Sequence, residues 1–370
     1  MTSAIAHSII GTNQAAENDN FTLTIPEKIA ANKIQSIYIP NDNNVDHLVD
    51  NLDEALAAAD KHYLSLHRAA VPKDLLARAK DSTLLRYTLE DWALIFLFWT
   101  GMSYSPAWMY PLWALLIGGR IHSFGVILHD ATHKSIHAKS WQLRLVEIFA
   151  GYTMASTLNA MRYHHIRHHR DSGMPNDPYF KPTVQSSRWI FMLIWARHLL
   201  LMPLWIVRGY YGSLAYFFPT MRNSYARVFL QEKSGEDLTQ QKELIDCAKA
   251  EFGQAFFHTL IFIFTYFNPE MALFYYFIPG TVAGLLGGHR VLVEHNYLPT
   301  MDRNIETIIK TTVDHNLDAW GRLFWAPRDI GYHIVHHIHP QVALENLPKL
   351  RRWYIENHPE LYPLPYNNAL

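Results

Sequence analysis

With a single cysteine, Cys247, in 370 residues, the chain has no intrachain disulfide and no thiolate set for zinc or an iron–sulfur cluster. It lacks charge excess as well. A formal net charge of -1 gives no sign of a nucleic-acid partner or a generally basic, lipid-seeking surface. The first 20 residues have neither a basic start nor an apolar core, so no secretory signal is expected. What the sequence does hold is unusual: 22 His, 11 Trp and 20 Tyr, with 49% of residues hydrophobic. Many histidines with almost no cysteine point to imidazole ligands, which suit iron, zinc, copper or nickel.

Charge is also missing locally. From Trp92 to Gly119 no charged residue occurs. That run is long for one bilayer crossing and short for two. Ser103-Tyr104-Ser105-Pro106 divides it, because proline favours the start of a helix and disfavours its interior. A second apolar unit, Ala255 to Gly288, turns at Asn268-Pro269-Glu270. The expectation is an all-α integral membrane protein with four transmembrane helices in two hairpins, crossing at about 88–105, 106–128, 255–268 and 271–290. Trp and Tyr at the ends of the runs fit an interfacial belt. Trp189 to Tyr216 is also apolar, but Arg197, His198 and Arg208 punctuate it, which favours an interfacial helix with snorkelling arginines.

The remainder divides into a polar N-terminal lead-in with an amphipathic helix over Val45–Arg68 (1–85), a membrane domain (86–352) with a charged soluble insertion (221–253), and a C-terminal tail (353–370). Each hairpin returns the chain to the side it left. Residues 120–188 and 289–370 therefore share one face. Arg120, Lys134, Lys139, Arg144, Arg162, Arg167 and Arg170 lie there, while both opposite turns are nearly chargeless. By the positive-inside rule that face is cytoplasmic.

The histidine clusters fall on the same face: His129-Asp130-Ala131-Thr132-His133, His165-Ile166-Arg167-His168-His169, the isolated His295, and His333-Ile334-Val335-His336-His337. Residues at i, i+3 and i+4 of a helix share a side, so each HxxHH aims three imidazoles at one place. Two, three, one and three make nine, too many for one metal and suited to two close together. Imidazoles without bridging thiolates suit iron that changes oxidation state and binds dioxygen. Asp130, Asp177 and Glu294 are candidate outer acceptors, since a ligating imidazole usually gives its other N–H to a carboxylate or carbonyl.

This order of clusters over roughly residues 90–352 resembles the membrane fatty-acid desaturase family with its hydroxylase and ketolase relatives. Asn176-Asp177-Pro178, Arg290 and Glu294 before His295, and Tyr332-His333 to Pro340 agree with it. The resemblance implies His129, His133, His165, His168, His169, His295, His333, His336 and His337 as ligands of two irons. It further implies dioxygen as co-substrate, a long-chain lipid or fatty acyl substrate, and electrons from a ferredoxin or small cytochrome. Two features depart from the pattern: Val291 stands where some relatives carry a water-mediating Asn, and His339 stands where an aromatic is common. His164 leaves the register of the second cluster open. His122, His198 and His258 are expected to be packing residues, His137 is left out of the ligand set, and His289 and His315 stay unassigned. An acyl-chain desaturase is the leading expectation. A hydroxylase or ketolase of an acyl chain, sphingolipid or carotenoid is the alternative, and a non-catalytic metal-binding membrane protein a more distant one.

Overall fold

A computed structural model of the chain describes residues 64–65, 67–134, 139–300 and 302–362. The lead-in, nearly all of the Val45–Arg68 helix, and His137 fall outside them. Among the described residues the regular structure is helical, and the one extended pairing is an isolated antiparallel bridge between His295 and Thr312.

The first hairpin pairs α1 (Asp81–Ser103) with α2 (Tyr110–Ala131). Its turn falls at the Tyr104–Pro106 break read from the sequence, and Pro111 enters α2 in its first turn, where a missing N–H costs nothing. After α6 (Lys242–Phe267) the chain turns at Asn268-Pro269 and continues into α7 (Ile278–Val293), which packs along α2. Between them lie α3 (Leu158–Asp171), α4 (Arg188–Ala196) and α5 (Leu201–Phe217). The short α8 (His333–Ile338) and α9 (Leu347–Asn357) close the fold. Helices α2 and α7 approach closely through glycine: a Cβ on Gly118 would come within 2.7 Å of Val282 Cγ1 and 2.9 Å of the Pro279 carbonyl. Small residues serve close helix packing in lipid in the same way.

Three helical stretches among the described residues are long and apolar enough to cross a membrane: Ala107–Ala131, Arg188–Phe217 and Pro269–Val293. The set differs from the four runs expected. Helix α1 begins with Asp81, Arg86, Glu90 and Asp91, and α6 with Lys242, Glu243, Asp246, Lys249 and Glu251, so each mixes a charged and an apolar half. Conversely, Arg188–Phe217, expected at the interface, qualifies by length and composition, with a tight turn at Arg197–Leu200.

Three expected boundaries also shift. Helix α1 starts at Asp81, so the expected boundary at 86 falls inside it. The expected limit of the insertion at 253 also falls inside a helix: the last third of 221–253 is the start of α6, which runs on unbroken to Phe267. Its charges are compatible with one continuous helix and mark a change of surroundings along it. The boundary at 352 falls inside α9, whose Leu347, Leu350 and Tyr354 are buried with Ile334, Val335 and Ile338 of α8.

Candidate metal centre

Local sequence fixes where each cluster stands. His129 ends the last turn of α2, and His133 follows in the turn beyond, its N–H on the Asp130 carbonyl. Thr157 caps α3, its hydroxyl accepting the Ala160 N–H at 3.1 Å, and the second cluster fills the last turns of that helix. His295 comes just after α7. In α8 the i, i+3, i+4 pattern separates two faces: His333, His336 and His337 gather on one, while Ile334, Val335 and Ile338 enter the core.

The structure brings all nine predicted histidines together, in two groups. His129, His133, His165, His169 and His336 form one, and His168, His295, His333 and His337 the other; in each, the ligand-type nitrogens lie within 4.8 Å of one another. In the first, His165 Nε2 is 3.0 Å from both His133 Nε2 and His169 Nε2, and His169 Nε2 is 3.1 Å from His336 Nε2. In the second, His295 Nε2 is 2.9 Å from His168 Nε2, 3.1 Å from His333 Nε2 and 3.4 Å from His337 Nε2. Two imidazole nitrogens bound to one ion at about 2.1 Å sit roughly 3.0 Å apart at right angles and about 3.4 Å apart in a tetrahedron.

Hydrogen bonding among imidazoles explains this poorly. A neutral ring donates from one nitrogen and accepts at the other, yet here Nε2 meets Nε2 throughout. Meanwhile the Nδ1 atoms of His129, His165, His169, His333, His336 and His337 are buried without a hydrogen-bond partner among the described residues. Burial and then the neighbouring imidazoles hold His165, His169, His333 and His337 well below the usual histidine range. Burial, opposed to protonation together with Arg162, brings His133 to about 3. These are neutral rings, the form that binds metal. The residues present fit a pair of imidazole-bound ions.

The outer acceptors behave differently from one another. Asp177 Oδ1 accepts from His168 Nδ1 at 2.8 Å and from the Tyr179 N–H at 2.8 Å, and Oδ2 accepts the Gly173 N–H at 3.0 Å. Burial pushes its carboxyl up, but His168 and those donors outweigh it and hold it below the usual range. Glu294 Oε2 lies 3.2 Å from Arg290 Nε and 3.8 Å from His333 Nδ1. Asp130 does not reach a ligand ring: it is buried with Oδ2 unpartnered, and its backbone partner is Leu344. Following His129 by one residue, it points to another side of the helix.

His164 stands outside both groups. Its Nδ1 meets Tyr179 Oη at 2.6 Å. His339 likewise turns outward, its Nε2 2.7 Å from Tyr354 Oη. Among the unassigned histidines, His289 Nδ1 accepts from Trp325 Nε1 at 3.0 Å and His315 packs edge-on against the same indole. His258 and His122 are held by the Tyr276 hydroxyl and the Trp325 carbonyl, as packing residues would be.

One supporting residue was not singled out from the sequence. Asp314 Oδ1 accepts the Ile334 N–H at 2.8 Å and so caps α8 from a distant loop, while Oδ2 is held by Arg351 Nε at 2.8 Å and by the Tyr362 hydroxyl. A capping carboxylate twenty residues from its helix leaves no local signature. Beside the clusters, a cavity runs between α2, α5 and α7, lined by Ile121, Met161, Met202, Trp205 and Ala283, and reaches His129, His165, His168, His295 and His333.

A fold that is helical throughout its described residues and sets nine imidazoles in two ion-sized groups beside an apolar cavity has the makings of an enzyme that oxidises hydrocarbon. The chain belongs to the fatty acid desaturase family, whose model matches residues 105–369, and it is an oxidoreductase of that type. It is similar to an sn-1 acyl-lipid omega-3 desaturase (ferredoxin) of Nostoc sp. (strain 36), with 24% identity over 290 residues that cover 76% of this chain and 77% of the relative.

Proposed function

We propose that the chain introduces a double bond into a long acyl chain of a lipid or fatty acid, using dioxygen and electrons from a separate carrier of the ferredoxin kind. The observation that carries this reading is the convergence of nine imidazoles, in groups of five and four, at an apolar cavity. The nine histidines would hold two irons, which supply dioxygen activation and the oxidising power to take hydrogen from an unactivated methylene. Redox accounting explains the carrier. Forming one double bond releases two electrons, and reducing dioxygen to two waters takes four, so two more must be delivered.

The protein's share is placement. Apolar side chains along the cavity seat the hydrocarbon and keep water from it, and the buried ligand rings leave few positions for adventitious groups. Asp177 orients His168 through its Nδ1–H, which leaves Nε2 free to bind; the Val291 carbonyl does the same for His295 at 3.0 Å. Asp177→Asn should weaken metal binding in the four-histidine group by about 10–100-fold and leave the other group loaded. Equal retention of both metals during a chelator titration would count against that role.

Lipid analysis of a host expressing the chain, beside one expressing His168→Ala, tests the activity. The expected product is a new double bond that the variant does not make. Hydroxylated or keto products without new unsaturation would overturn the desaturase reading in favour of its relatives.

We also place the clusters on the cytoplasmic face of a four-crossing protein. From Tyr110 to His129 is nineteen helical steps along α2, about 28 Å of helix, against roughly 30 Å of hydrocarbon. The tips of both hairpins meet at the far end, where Ser103 Oγ lies 2.7 Å from Tyr275 Oη. Helix α5 supports the interfacial reading at both ends. Its leading corner packs His198 on Gly288 near the end of α7, and Phe217 packs on Phe252 (5.5 Å) at the charged start of α6. The native Cys247 is buried, so labelling is clean. Tyr104→Cys should react with an impermeant thiol reagent from outside the cell, and Lys349→Cys should react only after permeabilisation. Labelling of both from one side would contradict the topology.

A further inference from the structure

The cavity is apolar along most of its wall, yet Lys181 and Gln231 line it together with His198. They come from three separate segments. Lys181 follows the loop that carries Asp177, Gln231 lies between Leu230 and Glu232 beyond the turns that follow α5, and His198 sits at the α4–α5 corner. The first two loops are fastened to each other by Lys233, whose Nζ donates to the Asp177 carbonyl and, at 3.5 Å, to that of Phe180.

Three features set this group apart from packing. Lys181 is half-buried, and its ammonium makes no hydrogen bond or ion pair among the described residues. The charges that act on it are mostly of its own sign, Arg197 and Lys233; the carboxylate, Asp177, has its oxygens occupied by His168, Gly173 and Tyr179. Gln231 is held at φ 56°, a left-handed conformation that costs a non-glycine residue free energy and that concentrates at ligand clamps. His198 gives its Nδ1–H to the Ile194 carbonyl at 2.9 Å, leaving Nε2 for another partner. Burial, then Arg197, lowers Lys181 to about 8, so the side chain still carries its charge at neutral pH.

A few polar groups at one part of an apolar pocket fix the orientation of what enters it, and a cleft edged by one sign of charge concentrates the opposite sign. We infer that Lys181, with Gln231 and His198, binds the anionic polar end of the acyl substrate, a carboxylate or a phosphate, and so sets which methylene reaches the histidine clusters. This deepens the proposed desaturase reading and rests on the acyl-chain assignment of the cavity. Lys181 and Gln231 are positioning and specificity residues.

The test uses the full-length protein in detergent with a bound fluorescent polyene fatty acid as reporter. Competitors carry one acyl chain type on three polar ends: a free fatty acid, phosphatidylglycerol and a neutral monogalactosyl diacylglycerol. The free acid or phosphatidylglycerol should displace the reporter at least ten-fold more effectively than the neutral lipid, and the stronger of the two identifies carboxylate or phosphate as the source. Lys181→Gln should abolish that preference and, in turnover, raise KM about ten-fold with kcat and iron content retained. Lys181→Arg, which keeps the charge, should restore the preference. Equal displacement by the neutral lipid, or an unchanged preference in Lys181→Gln at full iron content, overturns the inference. Selective binding by a wild-type protein that forms no double bond would instead count against the desaturase reading alone.

Discussion

His336→Ala and His333→Ala should each leave the purified chain with about one iron instead of two, and the iron lost should differ between them. His336 belongs to the five-histidine group and His333 to the four-histidine group, although three residues separate them on one helix. A helix places i and i+3 about 60° apart, enough for α8 to serve both groups. Each variant removes one imidazole from a set whose nitrogens sit at ligand spacing, while the other set keeps all its members. Even residues that only orient a ligand are worth about 10–100-fold in metal affinity, so loss of a ligand should exceed that. Both variants should lose turnover, since the proposed reaction would draw on both ions. Metal analysis and Mössbauer spectra after iron-replete expression would read the result. A wild-type chain filled by a single zinc would sink the two-iron reading, and so would loss of both metals from a folded His333→Ala while His336→Ala kept both.

The clusters were legible in the sequence because their geometry is local. HxxHH on one helix puts three rings on one side whatever surrounds it, and the structure keeps that arrangement in α3 and α8. How nine rings divide was not legible. His168 and His169 are neighbours, yet they enter different groups, because adjacent helical residues point about 100° apart and the partner of each comes from another element. The tertiary path of the chain assigns them, and spacing does not encode it.

Hydropathy was legible in the same partial way. The turns at Ser103–Pro106 and Asn268-Pro269 stand where proline requires them. Helix starts did not follow from the apolar runs. A helix continues through a change of solvent as long as its backbone bonds continue, so α1 and α6 begin well before their apolar halves. The charged residues there find partners that composition does not reveal: Asp91 accepts from Arg120 at 3.1 Å and from Arg328 at 3.2 Å. Glu251 pairs with Arg208 at 2.9 Å in full burial. Removing one member of such a buried pair costs about 3–5 kcal/mol. Asp130 shows the opposite failure. Its place beside His129 made it a candidate acceptor, but one step along a helix turns a side chain away from its neighbour's contacts.

His165→Ala should empty the five-histidine group and abolish turnover, whereas His164→Ala should keep both irons. Sequence left two registers open, HxxHH from His165 and HxxxHH from His164. On a helix His165 lies three and four residues before His168 and His169. His164 lies four and five before them, and i+5 is rotated about 140° from the first. The structure places His165 Nε2 3.0 Å from both His133 Nε2 and His169 Nε2. His164 instead gives its Nδ1 to the Tyr179 hydroxyl at 2.6 Å, and the Tyr179 ring packs 4.4 Å from that of His168. Loss of His164 leaves the Tyr179 hydroxyl without that partner, for which about 1–3 kcal/mol of stability is the expected cost, seen as a lower Tm with both irons in place. Loss of His165 removes the ring that touches two others of its group, so metal should leave even where the fold persists. Iron content, Tm and turnover measured on the two variants side by side decide between the registers. An iron-deficient His164→Ala beside an iron-replete His165→Ala would exchange the two residues in the ligand set.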